Sequence, residues 1–257
     1  MTVYFIGAGP GAPDLITLRG ARLLGECRTC LYAGSLVPGD MLELCPDDAV
    51  LVDTARMPLP DIVDHIVAAH ERGHDVARLH SGDLSIYSAL AEQQRELRTR
   101  GIPYEIVPGV PAFAAAAAAL DTELTVPGVG QSLLITRVST LSTDMPAGED
   151  LADLAATGVT LALHLAAHRT EQIVEALAPH YGSECPTATV AFASRPNQQV
   201  VRCPLSRLPE TLDAADIRKT AVIFVGRVLD AMTHPEVTDS YLYSHARMTK
   251  LRETPHP

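Results

Sequence analysis

The chain has 257 residues, of which 47% are hydrophobic and only 4% aromatic, and it contains no tryptophan. A chain of this length can bury a substantial core and divide into two domains. Its 20 lysine and arginine residues are outnumbered by 31 aspartate and glutamate residues, which gives a formal net charge of -11. A nucleic-acid or anionic-membrane partner normally requires a basic face, so neither is expected.

The sequence also predicts a cytoplasmic location. The apolar run 3–6 is too short for a signal peptide and lacks a basic flank. The run 114–119 is far shorter than the roughly 20 residues needed to span a bilayer. The five cysteines are odd in number and lack the spacing of a disulfide framework, which favours free thiols in a reducing compartment.

In the first half of the chain, short β-rich runs alternate with helical patterns. This alternation indicates βαβ units around a mainly parallel sheet. The predicted strands are 3–6, 29–32, 50–53, 76–79 and 104–107. The predicted helices are about 14–24, 61–72 and 85–100, and glycines at 73 and 101 end the last two.

In the second half the alternation is weaker, which predicts a second α/β domain whose mixed sheet contains antiparallel strands. The predicted strands are 133–137, 159–165, 187–193, 200–203 and 221–225, and the clearest helix is 170–178. Proline–glycine turns around an alanine-rich helix predict a hinge near 110–128. The predicted division is an N-terminal α/β domain (1–112), a C-terminal α/β domain (113–232) and a polar tail (233–257) with no assigned structure.

A glycine-rich loop (residues 7–13) follows the first predicted strand, where backbone amides can approach an anion. It nearly fits the dinucleotide-binding fingerprint, with Ala12 in the third glycine position and Glu26 near the expected ribose-binding acid. Pro10, however, removes one amide donor from the loop. Three interpretations stay open: a structural tight turn, an NAD(P) site of an oxidoreductase, and a loop that contacts another ligand.

A second loop (residues 80–87, the Asp83 loop) also connects a predicted strand to a predicted helix. Gly82 allows close approach of a ligand, and Asp83 places a carboxylate at the carboxyl end of a strand, where open α/β sheets bind ligands. The alternative is that Asp83 caps the next helix, an interaction of about 1 kcal/mol.

Two pairs of metal-ligating residue types have suggestive spacing. Cys27 and Cys30 form a CxxC motif, but no second pair completes a four-ligand site. His70 and His74 are four residues apart, but Gly73 ends the helix between them. No metal site is therefore predicted. Walker and nucleophile-elbow motifs are absent from the sequence, which disfavours NTPase and hydrolase functions.

Five stretches, in order and spacing, resemble the tetrapyrrole (uroporphyrinogen and precorrin) methylases. These are residues 4–17, 81–87, 107–110, 161–166 and 221–226, and the likeness extends from about residue 2 to residue 230. Residues 31–37 and 123–127 are most similar to members that methylate carbon 11 of precorrin-4 or of its cobalt-containing form. A methylase that acts on a different precorrin and a non-catalytic sensor of a tetrapyrrole or adenosyl ligand are further alternatives.

The resemblance implies two α/β domains, usually in a homodimer, that bind S-adenosylmethionine in a cleft between the domains and release S-adenosylhomocysteine. The substrate would be a small corrin precursor. The cofactor-binding residues that it implies are Pro10, Ser81, Gly82, Asp83, Ile86, Pro111, Ala112, Leu165, Ala193 and Ala221.

This chain departs from the family pattern in the Asp83 loop and in the motif 31–37. Leu84 replaces the usual proline after Asp83, and Ala33 with Gly34 stands where some relatives carry an acid. No catalytic base is therefore assigned. The carboxylates of the substrate require cations, for which the sequence offers Arg56, Arg78, Arg137 and Arg169 as candidates, each also compatible with a surface role.

Overall fold

A computed structural model describes residues 1–34, 36–139, 144–233 and 235–253. Ser35, in the motif 31–37, and His234, in the predicted tail, lie outside the described residues. The chain packs as two compact units. Unit 1 comprises Met1–Ala115 together with Phe192–Gln198, and unit 2 comprises Ala116–Ala191 and the described residues from Gln199 onward.

Unit 1 is built on five parallel strands in the order β3-β2-β4-β1-β5, which confirms the predicted parallel sheet. Its strands are β1 (Val3–Gly7), β2 (Thr29–Tyr32), β3 (Val50–Asp53), β4 (Val76–His80) and β5 (Tyr104–Val107). Its helices are α1 (Leu18–Glu26), α2 (Leu59–Glu71) and α3 (Leu90–Thr99), and α4 (Ala112–Ala119) follows β5.

Helices cover both faces of this sheet because successive strand residues point to opposite sides. On one face, Leu24 of α1 packs in a buried cluster with Ile6 of β1. On the other face, Ile66 of α2 and Leu97 of α3 pack with Phe5. The central strands β2, β4 and β1 are thus a buried middle layer, and the strand ends carry the connecting loops.

Two helices of unit 1 begin later than the sequence pattern predicts. The hydroxyl of Thr17 accepts a hydrogen bond from the amide of Gly20 at 3.1 Å, so α1 begins after this cap and not at residue 14. Tyr87 and Ala89 have φ angles of 52° and 51°. Left-handed backbone cannot continue a right-handed helix, so α3 begins only after Ala89 and not at residue 85.

Unit 2 contains a mixed five-stranded sheet in the order β6-β7-β10-β8-β9. Its strands are β6 (Leu133–Arg137), β7 (Thr160–His164), β8 (Pro186–Ala191), β9 (Gln199–Pro204) and β10 (Ala221–Val225). Strands β6 and β7 are parallel, and the other neighbours are antiparallel. The predicted mixed sheet is confirmed, although β7 and β8 end one and two residues earlier than predicted.

The helices of unit 2 are α5 (Leu151–Ala155), α6 (Thr170–Tyr181), α7 (Leu208–Ala214) and α8 (His245–Glu253). Ile173 and Leu177 of α6 are buried, as are Leu208 and Leu212 of α7. The sequence analysis missed α5 and α7, which have only 5 and 7 residues and so show little periodicity. In the described part of the chain, no helix has both the length and the apolar character to cross a membrane.

The polar tail has more structure than the sequence predicts. The amide of Thr238 donates to the carbonyl of Pro127 at 3.2 Å. Arg227 pairs with Glu236 at 3.3 Å. These contacts within unit 2 hold the tail before α8 begins, and they are long-range contacts that local sequence patterns do not reveal.

Candidate active site

Three loops of unit 1 meet at the carboxyl ends of the neighbouring strands β4, β1 and β5. Gly9, in the glycine-rich loop, exchanges two backbone hydrogen bonds with Gly82 in the Asp83 loop, at 3.2 and 2.7 Å. A Cβ atom added to Gly7 would lie 2.6 Å from the amide nitrogen of Gly109 and 2.8 Å from the carbonyl oxygen of Gly82. The loops therefore approach one another as closely as they do because these positions lack side chains.

This meeting point has the topology of a ligand-binding site. The chain leaves β1 toward β2 on one side of the sheet order and leaves β4 toward β5 on the other. Open α/β sheets bind ligands outside the carboxyl ends of their strands at such a reversal. The structure thus brings together, within unit 1, six of the residues that the sequence analysis names: Pro10, Ser81, Gly82, Asp83, Pro111 and Ala112.

The glycine-rich loop does not have the features of a dinucleotide-binding turn. The amide of Ala8 donates to the backbone carbonyl of His80 at 2.8 Å, and the amide of Gly9 donates to the carbonyl of Gly82. Neither amide is therefore free to bind a pyrophosphate. The amide of Ala12 donates to the hydroxyl of Ser194 at 2.9 Å. Helix α1 begins only at residue 18, so its positive end does not adjoin the loop. The NAD(P) interpretation of this loop is therefore wrong.

Asp83 connects two loops and does not cap a helix. One carboxylate oxygen accepts a hydrogen bond from the amide of Ser85 at 2.9 Å. The other accepts from the amide of Gly109 at 2.9 Å. Burial raises the pKa of this carboxyl, but the hydrogen bonds from Ser85, Gly109 and Leu84 outweigh it, so the pKa is lowered and Asp83 is anionic at neutral pH. The helix-cap alternative is wrong because α3 begins only after Ala89.

Left-handed backbone accompanies several predicted cofactor-binding residues. Leu165 itself has a φ of 53° and is 59% exposed directly after the buried strand β7. Phe192 and Ser194, with φ of 52° and 64°, flank Ala193, and Thr220, with φ of 53°, precedes Ala221. Strained residues of this kind concentrate at ligand-binding sites. Ile86 is half-buried and adjoins Tyr87, which is also left-handed.

Two ionisable side chains of β4, the strand that leads into the Asp83 loop, are buried. Arg78 is 6% exposed and donates to Gln93 at 3.0 Å and to Thr54 at 2.9 Å. Burial lowers its pKa to about 10, so it stays charged. His80 is 8% exposed and its Nε2 has no hydrogen-bond partner. Burial and the nearby Arg78 lower its pKa to about 3, so it is neutral.

The four arginines that the sequence offers for substrate carboxylates differ in availability. Arg78 is enclosed and hydrogen-bonded, so it is not available to a substrate. Arg137 donates to the carbonyls of Val138 and Asp144. Arg56 is exposed, and Arg169 is half-buried with no partner for its Nε. These two stay candidates.

The two cysteines of the CxxC motif are poorly suited to bind a metal. Cys27 and Cys30 are buried in the core between α1 and the sheet. Burial raises the pKa of Cys27 to about 12, so its thiol is protonated at neutral pH and is a poor metal ligand. Among the described residues, no group of three or more histidine, cysteine or acidic side chains could hold a metal ion.

Only Ala193 of one further segment of the candidate site is named in the sequence analysis. The loop Phe192–Gln198 (the hairpin loop) connects β8 to β9, yet it packs with unit 1. Ser194 accepts the hydrogen bond from Ala12, and Arg195 donates to the carbonyl of Leu36 at 2.6 Å. Its Arg-Pro-Asn sequence indicates a turn between strands, but no local signal shows what the turn contacts.

The chain matches a known family over most of its length. The model for the Tetrapyrrole (Corrin/Porphyrin) Methylases matches residues 2–209. A precorrin-4 C(11)-methyltransferase from Rhodococcus erythropolis is 58% identical over 96% of this chain and 98% of that protein. A cobalt-precorrin-4 C(11)-methyltransferase from Methanocaldococcus jannaschii is 42% identical over 89% of this chain and 88% of that protein.

Solved structures agree with this match. A cobalt precorrin-4 methyltransferase is 36% identical and superposes with a TM-score of 0.87, covering 89% of this chain and 96% of that one. A uroporphyrin-III C-methyltransferase from Thermus thermophilus, complexed with S-adenosylhomocysteine, is 28% identical with a TM-score of 0.73, covering 90% and 99%. The loops at the strand ends, the two sheets and these likenesses agree: the chain belongs to the tetrapyrrole methylase family.

Proposed function

We propose that this chain transfers a methyl group from S-adenosylmethionine to carbon 11 of precorrin-4 in cobalamin biosynthesis. The observation that carries the proposal is the 58% identity, over nearly the full length of both chains, to a protein named precorrin-4 C(11)-methyltransferase. Two relatives named for cobalt-precorrin-4 are 42% and 38% identical. This difference favours the cobalt-free substrate.

The ten residues that the resemblance implies form our proposed cofactor-binding set, and unit 1 offers several features that suit the donor. The donor carries a positive sulfonium and a positive amino group. Asp83 is anionic at neutral pH, and its hydrogen bonds hold its pKa below the ordinary value. Gly82, with a φ of 69°, adopts left-handed backbone that a side chain would strain, and a Cβ atom there would lie 3.7 Å from the amide nitrogen of Ala112. In unit 2, the feature that suits the donor is Leu165, whose side chain is exposed and whose backbone is left-handed.

When bound, the donor supplies an electrophilic methyl group, whose bond to sulfur breaks as the new carbon–carbon bond forms, with the electron pair left on sulfur. The residues of this chain contribute orientation and the exclusion of water, since the reaction depends on alignment of donor and acceptor. Pro10, Gly82 and Ala193 are buried and apolar and offer no competing nucleophile. We assign no residue as a general base.

We further propose that the enzyme works as a homodimer in the cytoplasm. The dimer rests on the family resemblance alone and is tested by light scattering of the purified protein. The five cysteines, which are all unpaired, support a reducing compartment.

The first test is a calorimetric titration of the purified chain with S-adenosylhomocysteine, with NAD and NADP as controls. We expect micromolar affinity for S-adenosylhomocysteine and no measurable heat from either dinucleotide. Binding of a dinucleotide instead of S-adenosylhomocysteine would contradict the proposed cofactor.

The second test is turnover with enzymatically prepared precorrin-4 and cobalt-precorrin-4 in parallel, using an isotope-labelled methyl donor. We expect label at carbon 11, located by NMR, and faster turnover of the cobalt-free substrate. Label at another carbon, or turnover of cobalt-precorrin-4 alone, would overturn the proposed substrate while leaving the family intact.

A further inference from the structure

Arg195 in the hairpin loop is a cation that no acidic side chain neutralises within the described part of the chain. The chain has a net charge of -11, yet none of the ion pairs among the described residues includes Arg195. A half-buried arginine normally has a carboxylate or several acceptors around it, because removing its charge from water is costly. An unneutralised guanidinium in an acidic protein is therefore available to an anionic ligand.

The position of Arg195 is fixed by its own loop. Its amide donates to the carbonyl of Phe192 at 3.0 Å, and its carbonyl accepts from the amide of Gln198 at 2.9 Å. The side-chain oxygen of Gln198 accepts from the amide of Ser194 at 2.8 Å. The loop is thus a closed turn, and it loses little freedom when a ligand binds.

The side chain of Arg195 lies against the glycine-rich loop. A Cβ atom added to Gly11 would lie 2.9 Å from its Nε, so the glycine at this position is what leaves room for the arginine. The hydroxyl of Ser194 accepts a hydrogen bond from the amide of Ala12, which attaches the hairpin loop to the glycine-rich loop. Arg195 is therefore held beside the glycine-rich loop of unit 1 by its own contact with Gly11 and by the bond between Ser194 and Ala12.

Within the described residues, the guanidinium uses only one of its nitrogens. Nη2 donates to the carbonyl of Leu36 at 2.6 Å, and Nε is enclosed without a partner. Burial lowers the pKa of Arg195, and no acid is among the causes. The remaining nitrogen, Nη1, has no protein acceptor and is not enclosed, so it can donate to a carboxylate with the strength of a charge-assisted hydrogen bond.

We propose that Arg195 binds a peripheral carboxylate of the tetrapyrrole and so helps to position the ring for methylation. This inference rests on the proposed function, because a corrin precursor carries several acetate and propionate side chains. S-adenosylmethionine also carries a carboxylate, so the test must separate the two ligands. Arg195 is a substrate-binding residue in this proposal and has no part in bond making.

The test compares the wild-type protein with two variants. Arg195→Gln removes the positive charge and keeps a hydrogen-bond donor, and Arg195→Lys keeps the positive charge. Arg22→Gln is the matched control, because it removes one charge from an exposed pair with Glu26 on the same unit. Thermal unfolding is measured for each variant to show that it is folded. Affinity for the porphyrin octacarboxylate uroporphyrin III is measured by fluorescence, and affinity for S-adenosylhomocysteine by calorimetry.

We expect Arg195→Gln to weaken uroporphyrin III binding, and to raise KM for precorrin-4, by roughly tenfold or more, since one charge-assisted hydrogen bond is lost. Affinity for S-adenosylhomocysteine and kcat should change little, Arg195→Lys should recover most of the loss, and Arg22→Gln should behave like the wild type. Unchanged uroporphyrin III binding and unchanged KM would overturn the proposal. So would a loss confined to S-adenosylhomocysteine.

The porphyrin titration also keeps this proposal separate from the proposed function. A wild-type protein that fails to methylate precorrin-4 contradicts the proposed substrate only. If Arg195→Gln still weakens uroporphyrin III binding in that case, the carboxylate-binding role of Arg195 stands without the proposed reaction.

Discussion

The carboxylate of Asp83 accepts a hydrogen bond from the backbone amide of Gly109, 26 residues later in the chain, with 2.9 Å between oxygen and nitrogen. The bond connects the loop after β4 to the segment after β5, although β1 lies between those strands in the sheet. One side chain therefore both shapes the strand-end site and supplies its negative charge.

We predict that Asp83→Ala weakens binding of S-adenosylhomocysteine by about 1–3 kcal/mol, roughly tenfold to a hundredfold, because the charge and the connection between the loops are lost together. Calorimetry measures the affinity. Ser85→Ala is the matched control, since it alters the same loop and leaves the bond to Gly109 and the charge in place. Equal affinities of Asp83→Ala and the wild type would show that Asp83 has only a structural role.

Gly7 and Gly25 respond in opposite directions to the same substitution. Gly7→Ala should lower the free energy of unfolding by about 1–3 kcal/mol, because its Cβ would lie 2.6 Å from the amide nitrogen of Gly109. Gly25→Ala should raise it by about 0.5–1 kcal/mol, because Gly25 is an exposed residue of α1 with no neighbour closer than 3.4 Å. Urea unfolding measures both, and a stable Gly7→Ala protein would contradict the close approach of the loops.

His80 makes stability depend on pH. Its pKa is about 3 in the folded chain, where it is neutral, against 6.5 in the unfolded chain. The unfolded chain therefore binds more protons between these values. The contribution of His80 to the free energy of unfolding is fully present above pH 6.5 and is lost as the pH falls toward 3.

We predict that His80→Gln reduces the loss of stability between pH 7 and pH 5 by about 2 kcal/mol, the linkage value for one histidine that cannot be protonated when folded. Urea unfolding at the two pH values measures the loss. His65→Gln, on the exposed face of α2, is the control and should leave it unchanged. The same pH dependence in His80→Gln and the wild type would mean that His80 is protonated without unfolding.

Leu165 has an exposed apolar side chain and a left-handed backbone, and neither feature stabilises the folded chain. We predict that Leu165→Gly leaves the free energy of unfolding unchanged within about 1 kcal/mol, because relief of backbone strain offsets the entropy of glycine. Affinity for S-adenosylhomocysteine should fall several-fold, since the proposed contact is removed.

Asp121→Gly is the control for Leu165, because Asp121 is also exposed and left-handed, with a φ of 50°, but lies outside the proposed cofactor-binding set. It should retain the affinity of the wild type. If both variants bind S-adenosylhomocysteine as the wild type does, Leu165 is not part of the cofactor site.

Local patterns were sufficient for the strands of unit 1, because each is a short, mainly apolar run between turn residues, whether it is buried like β4 or exposed like β3. They were less successful at helix starts. The expected start of α3 at residue 85 is wrong because Tyr87 and Ala89 adopt left-handed backbone, which their residue types do not predict. The short helices α5 and α7 were missed because they derive their stability from packing and not from periodicity.

By itself, the sequence determined the alternating α/β organisation, the parallel and mixed sheets and the family, because strand patterns and ordered motifs are local and are preserved along the chain. Only the tertiary structure decided which of those motifs contact one another and which side chains become buried. It showed that Asp83 connects two loops and that Arg78 is enclosed. It also showed that the hairpin loop brings Arg195 to Gly11, 184 residues earlier in the chain. Such relationships depend on which strand ends become neighbours in the sheet, and that order is set by the packing of the whole unit.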